Sequence, residues 1–273
     1  MAGIRPFNVE GLVQFKQRIN YQEILASIKN DEKVYIDWQV VFKSVDIPGQ
    51  GVWESDKNTT FSKGGGLGVM SGSLVNKSEN VKFSVYVFSG HENQFVADQA
   101  MNLAAQTSRM EINYNLLPHP VADMYIYSNH INESSGFHSV IYTLRNVVVN
   151  LTSSSETVDV RPFADYLLGK MASALVLRDQ VPKMSPRVSV SSSSLKAGDN
   201  MWLDVGVAEK NTDDRYTVDI AIHDLPEGIE YMDMDGGKYF FNIEDAGDYH
   251  IEYTVLDTRC LTTVSGQYSI HAD

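Results

Sequence analysis

Val81-Lys82-Phe83-Ser84-Val85-Tyr86-Val87-Phe88 opens the stretch on which the fold turns, Val81 to Leu151. The octapeptide alternates, and it is rich in β-branched and aromatic residues, which predicts a strand. Ser89-Gly90 breaks it. Val96, Ala100, Leu103, Ala104 and Thr107 then recur at helix spacing, so a helix is expected over Glu92–Met110. Its small residues, Ala97 and Ala105 among them, favour helix and allow close approach to a sheet. Leu117-Pro118-His119-Pro120 forces an extended crossing, because neither proline nor the residue before it favours helix. Met124–Tyr127 and His138–Leu151 read as two more strands around a polar tip at Ser128–Gly136. The result is a strand–helix–strand–strand unit with no catalytic signature.

Working outward, 273 residues hold one large or two ordinary domains, and 43% hydrophobic content supports packed cores. A single cysteine, Cys260, rules out an intramolecular disulfide framework. Met1–Pro6 lacks the apolar segment of a secretory signal, and no window approaches the roughly 18 apolar residues of a membrane span. A soluble protein made in a reducing cytoplasm is expected. The sequons at Asn58, Asn76, Asn132 and Asn150 then carry no glycan, since that chemistry needs a secretory route. Charge is uneven: residues 1–185 carry 18 acids and 16 bases, whereas from Pro186 onward 17 acids face 6 bases, a net of −11. Neither part offers the basic stripe of a nucleic-acid reader.

Towards the N-terminus, Asn20-Tyr21-Gln22-Glu23 has the form of a capping box for a short helix bearing Ile24, Leu25 and Ile28, with an earlier turn or two around Val9, Leu12, Val13 and Ile19. Val34–Val45 alternates and predicts a strand, closed by the turn Asp46–Gly51. Residues 54–80 are polar and glycine-rich, running through Ser62-Lys63-Gly64-Gly65-Gly66-Leu67-Gly68. A phosphate-loop reading fails on spacing, because Ser71 stands where a third glycine is needed and no Gly-Lys-Ser/Thr follows. The segment is expected to be a long flexible hairpin, disordered alone and ordered between neighbouring subunits, because ordering so many glycines is entropically costly.

After a short strand at Thr157–Val160, Arg161-Pro162 introduces a helix with Phe163, Leu167, Met171, Ala174 and Leu175 on one face. Pro182-Lys183-Met184-Ser185-Pro186 is the best domain boundary. Beyond it, about six short strands follow: Arg187–Ser191, Met201–Val207, Tyr216–Ile222, Lys238–Ile243, Tyr249–Leu256 and Val264–Ile270. Leu225-Pro226-Glu227-Gly228-Ile229 and the run Glu244–Val255 resemble the bacterial immunoglobulin-like repeat. The resemblance implies a tyrosine corner at Asp245, Gly247 and Tyr249, in which the Tyr249 hydroxyl ties back to upstream backbone.

No arrangement for catalysis or metal binding emerges. His119, His130 and His138 form no i, i+4 pair and no His-x-His with a carboxylate behind it. Asp233-x-Asp235-Gly236-Gly237 lacks the third oxygen ligand and closing glutamate of a calcium loop, and a solvated acidic face with Asp213, Asp214, Asp245 and Asp248 is expected. Ser134-Ser135-Gly136 and Ser71-Gly72 are not nucleophile elbows, and Cys260 has Arg259 but no histidine nearby. No enzyme activity, cofactor or metal is expected.

The strand Val81–Phe88, helix Glu92–Met110, strand His138–Leu151, hairpin 54–80 and appended domain together resemble the tail-tube proteins of tailed phages. The N-terminal helices depart from that family. The expected fold is mainly β. Residues 1–181 form an α+β assembly domain, a β-sandwich or barrel with helices. Residues 187–273 form an immunoglobulin-like β-sandwich. The resemblance implies a virion protein, made in the host cytoplasm, that assembles as a homo-oligomer into stacked rings beside other virion proteins. Ser62, Lys63, Gly64, Gly65, Gly66, Leu67 and Gly68 are the expected assembly tip, and residues 187–273 a possible weak host-surface contact. The alternatives are a capsid decoration or fibre protein, or a carbohydrate-binding adhesin using Trp38, Trp53 and Trp202 as stacking residues.

Overall fold

The computed structural model describes residues 9–107, 114–132, 135–192, 194–208, 215–223, 230–233 and 238–273. The chain divides into two compact units: Met1–Ser62 with Val69–Val181, and Lys63–Gly68 with Pro182–Asp273. Both are built mainly of antiparallel strands, so the fold is mainly β. The expected end of the fourth helix at Met110 and the residues Ser134, Asp213, Asp214, Leu225–Ile229 and Asp235–Gly237 lie outside the described residues.

The first unit opens with helices α1 (Val9–Arg18) and α2 (Tyr21–Ser27), then β1 (Glu32–Val34), α3 (Trp38–Lys43), β2 (Ser44–Ile47), β3 (Gly51–Ser55), β4 (Thr60–Gly64), β5 (Leu67–Asn76) and β6 (Glu79–Phe88). Helix α4 (Asn93–Thr107), strands β7 (Tyr114–Leu116), β8 (Met124–Asn132), β9 (Ser135–Leu144) and β10 (Val147–Ser153), helix α5 (Arg161–Ala172) and β11 (Leu175–Leu177) complete it. One sheet runs β2-β3-β5-β6-β10-β9-β8-β7, with β4 on β5, while β1 pairs with β11. Strand β10 is central: its Val149 faces Val85 on one side and Tyr142 on the other. Helix α4 packs on β9 and β10, and its small residues Ala97, Ala100 and Ala104 are buried there with Val96 and Met101. Helix α5 packs on β9 and β2 and buries Phe163, Leu167 and Met171.

Four local expectations are corrected. Val34–Val45 is not one strand, because residues 38–43 are helix: the Asp37 carboxylate accepts the Val40 N–H at 3.1 Å and caps it. Trp38, Val41 and Phe42 are thereby buried at helical spacing, while Val40 is 67% exposed. His138–Leu151 is two strands, reversed at Arg145, whose φ is +55°. The Arg145 guanidinium holds the carboxylates of Asp123 and Glu32 together, with Glu32 at 2.8 Å, which anchors the reversal. Burial pushes the Asp123 carboxyl up, although the Arg145 cation opposes the shift. Asn20 adopts a left-handed conformation with no side-chain cap bond, so the capping box does not form. Thr157–Val160 is a loop, and the serines just before it take over the backbone: Ser153 Oγ accepts from Ser155 N (3.1 Å), and Ser155 Oγ from Thr157 N (3.3 Å).

The segment 54–80 is likewise no single hairpin tip but the end of β3, all of β4 and β5, and the start of β6. In the second unit, strands β12 (Pro186–Val190), β13 (Asn200–Val207), β14 (Tyr216–His223), β15 (Glu230–Asp233), β16 (Lys238–Asn242), β17 (Gly247–Asp257) and β18 (Thr263–Ala272) form two sheets, β12-β13-β16-β15 and β14-β17-β18. Their facing residues build one core, in which Met201, Leu203 and Val205 of β13 join Tyr249, Ile251 and Val255 of β17. The Tyr249 hydroxyl donates to the Asp245 carbonyl, closing the corner ahead of β17.

Candidate assembly and binding surfaces

The glycine-rich tip is a tight turn. Gly65 and Gly66 have φ of +56° and +77°, the left-handed pair that a two-residue hairpin of right-handed twist demands. Within the second unit the tip has specific partners. Lys63 Nζ donates to Thr217 Oγ1 at 3.2 Å. A Cβ on Gly68 would stand 2.2 Å from the Leu261 carbonyl oxygen, so only glycine fits there, whereas Gly64 has open space around it. Ser62 and Gly64 are exposed, and Leu67 is half-buried. Sequence reasoning expected a long flexible tip here and found neither the tight turn nor the close approach, because Leu261 lies far along the chain.

The histidines hold local structure. His119 Nδ1 accepts the backbone N–H of Val121 and Ala122, each at 3.2 Å, its ring stacks on Tyr125, and its Nε2 lies 3.5 Å from Asp165. His138 Nδ1 lies 3.3 Å from the Tyr127 hydroxyl. Among the described residues, no three His, Cys, Asp or Glu side chains cluster to hold a metal ion, and no helix is long and apolar enough to cross a membrane. Cys260 is buried and forms no disulfide. Beside it Asp257 is nearly inaccessible and chelated by Arg215 at 2.7–3.1 Å, and it also accepts the Arg259 N–H.

The tryptophans part company. Trp38 is 1% and Trp53 3% exposed, the latter edge-on to Phe163, so both belong to the core. Trp202 is 43% exposed. It stands on the outer face of β13, between the inward Met201 and Leu203, with Phe240 of β16 directly opposite and its ring 5.0 Å away at 62°. One register step along, Ser189, Asp204 and Lys238 form a row across β12, β13 and β16. These residues line a shallow groove of about 430 Å³. The alternation of β13 points Trp202 outward from the sequence alone; its pairing with Phe240, 38 positions on, needed the sheet register.

No family model matches the chain, and no curated protein matches it. Among solved structures, a polysaccharide lyase aligns over 91% of this chain and 41% of its own, at 10% identity and a TM-score of 0.22. The chain thus spans less than half of that protein's length, and a TM-score of this size supports no statement about shared fold or function.

Proposed function

We propose that this chain is a non-enzymatic structural protein of a phage virion, assembling into stacked rings that form a tail tube, with its immunoglobulin-like unit exposed on the outside. The supporting observation is where exposed apolar surface lies. Of the seven exposed large hydrophobic side chains among the described residues, six (Val9, Val13, Val40, Val52, Phe95 and Leu177) belong to the first unit. Singly, such residues are ordinary. Their concentration in the near-neutral unit matters because copies can bury them against one another with little charge repulsion. The excess of 11 negative charges from Pro186 onward opposes crowding at an interface and favours a solvated periphery. The test is electron microscopy and light scattering of the purified full chain. Rings or short tubes are expected, and they should change little with salt. A monomer without rings at high concentration would refute the reading and favour a decoration protein or adhesin.

A further inference from the structure

We propose that the outer face of the β12-β13-β16-β15 sheet, centred on Trp202, is a binding site for neutral pyranose-containing glycans. The observations are independent of the assembly reading. Exposed Trp202 and half-buried Phe240 form an aromatic pair on the outer sheet face. An exposed indole offers an apolar ring face to the axial C–H surface of a sugar, and its N–H edge remains available to hydroxyls. Ser189, Asp204 and Lys238 point from the same face, two residues along each strand. That places them about 7 Å from the aromatic pair, the span of one sugar ring with its hydroxyls.

The polar row is chemically suited to hydroxyls, which both donate and accept. Asp204 supplies an acceptor, Lys238 a donor and Ser189 either. Among the described residues the side chains of Asp204, Lys238 and Ser189 make no hydrogen bond or ion pair, which leaves them open to a ligand. Ser191, at the rim, is different: its Oγ accepts the Trp202 N–H of the main chain at 2.9 Å and holds the strand that presents the indole. The groove, about 430 Å³ and open to solvent, is in the range of small-ligand sites and too shallow to enclose one. It fits a chain lying across the face. Charge selects within the class: residues 186–273 carry a net of −11, which repels polyanions and leaves neutral glycans favoured.

The test reads binding by isothermal titration calorimetry on the full chain and each variant, and wild-type tryptophan emission locates the site, because Trp38 and Trp53 are buried and Trp202 alone faces solvent. The probes are neutral hexasaccharides of β-linked glucose and of N-acetylglucosamine, with dextran sulfate as the anionic comparison. Saturable quenching by a neutral hexasaccharide is expected, and it should survive about 0.5 M NaCl, where the Debye length is only a few ångströms. Trp202→Ala should weaken binding at least about tenfold, as loss of a central aromatic anchor does, and Asp204→Ala by a smaller factor. Trp202→Tyr should retain it within about threefold, since the stacking surface survives; this variant decides the matter if Trp202→Ala misfolds. No saturable response to either neutral probe, binding unchanged in Trp202→Ala, or salt-sensitive binding of dextran sulfate alone would each overturn the proposal. So would a change of oligomer size in Trp202→Ala without sugar binding, which would assign the face to a second copy. Failure to form rings leaves this titration untouched, so the two readings fail separately.

Discussion

The first unit wraps its sheet in helices, and both of its tryptophans are buried; in the second, two thin sheets face each other and the one tryptophan is exposed. The residue type is the same and its job is opposite, because cover differs. Trp38 lies on the inner face of α3 beside Phe42, whose ring stacks on Phe83 of the sheet. Trp202 lies on an outer sheet face that no helix among the described residues covers. A sandwich buries only the inward half of each strand, so every second residue is left to meet solvent or a ligand. The contrast is one of tryptophans: the near-neutral unit places both of its own in a core, and the acidic unit keeps its single one on display.

That contrast is open to direct attack. The largest effect belongs to Trp38→Ala, which should cost about 3–5 kcal/mol in denaturant unfolding through the cavity it leaves. Trp202→Ala should stay within about 0.5 kcal/mol. Equal losses would erase the distinction between core and surface tryptophan. Next, Gly68→Ala should cost about 1–3 kcal/mol, because the Leu261 carbonyl must move aside. Gly64→Ala, with open space around its Cβ, should cost no more than about 0.5 kcal/mol. If the two alanines behave alike, the tip does not need its seat within the second unit.

A smaller effect separates the units by pH. Lys33 is buried and donates to the His91 carbonyl at 2.8 Å and to Asn93 Oδ1 at 3.0 Å. Burial, with the Arg178 cation adding to it, lowers its pKa to about 8 from 10.5. Between those values the unfolded chain binds the extra proton, so stability should rise with pH, by about 1–2 kcal/mol after allowance for screening. Desolvation pushes the Tyr21 and Tyr142 hydroxyls up and keeps them neutral when folded, so stability should turn downward once unfolded tyrosines ionise near pH 10. Unfolding of wild type and Lys33→Met across pH 8–10 checks this; an identical slope in both would assign the rise elsewhere. The smallest change is Tyr249→Phe, expected to cost about 1 kcal/mol by orphaning the Asp245 carbonyl. A loss confined to the second unit's transition would sharpen the comparison, and no loss at all would demote the corner.

Much of this protein was determined by local sequence. Strands β6, β13, β14 and β17 follow from alternation, and α4 and α5 from apolar spacing. The charge division is composition alone. These signals are legible because each depends on residues a few positions apart, whose conformational preferences and faces repeat with the period of the element. Tertiary structure decided the rest. Residues 38–43 alternate well enough for a strand, yet a cap at Asp37 and the packing of Trp38 with Phe42 make them helix. His138–Leu151 reads as one apolar run, but the ion pairs of Arg145 to Asp123 and Glu32, residues far apart in sequence, fix its reversal. The close seat of Gly68 at Leu261 and the meeting of Trp202 with Phe240 are of the same kind. Each depends on which distant segment is neighbour and in what register, and a one-residue slip would turn the same side chains to the opposite face.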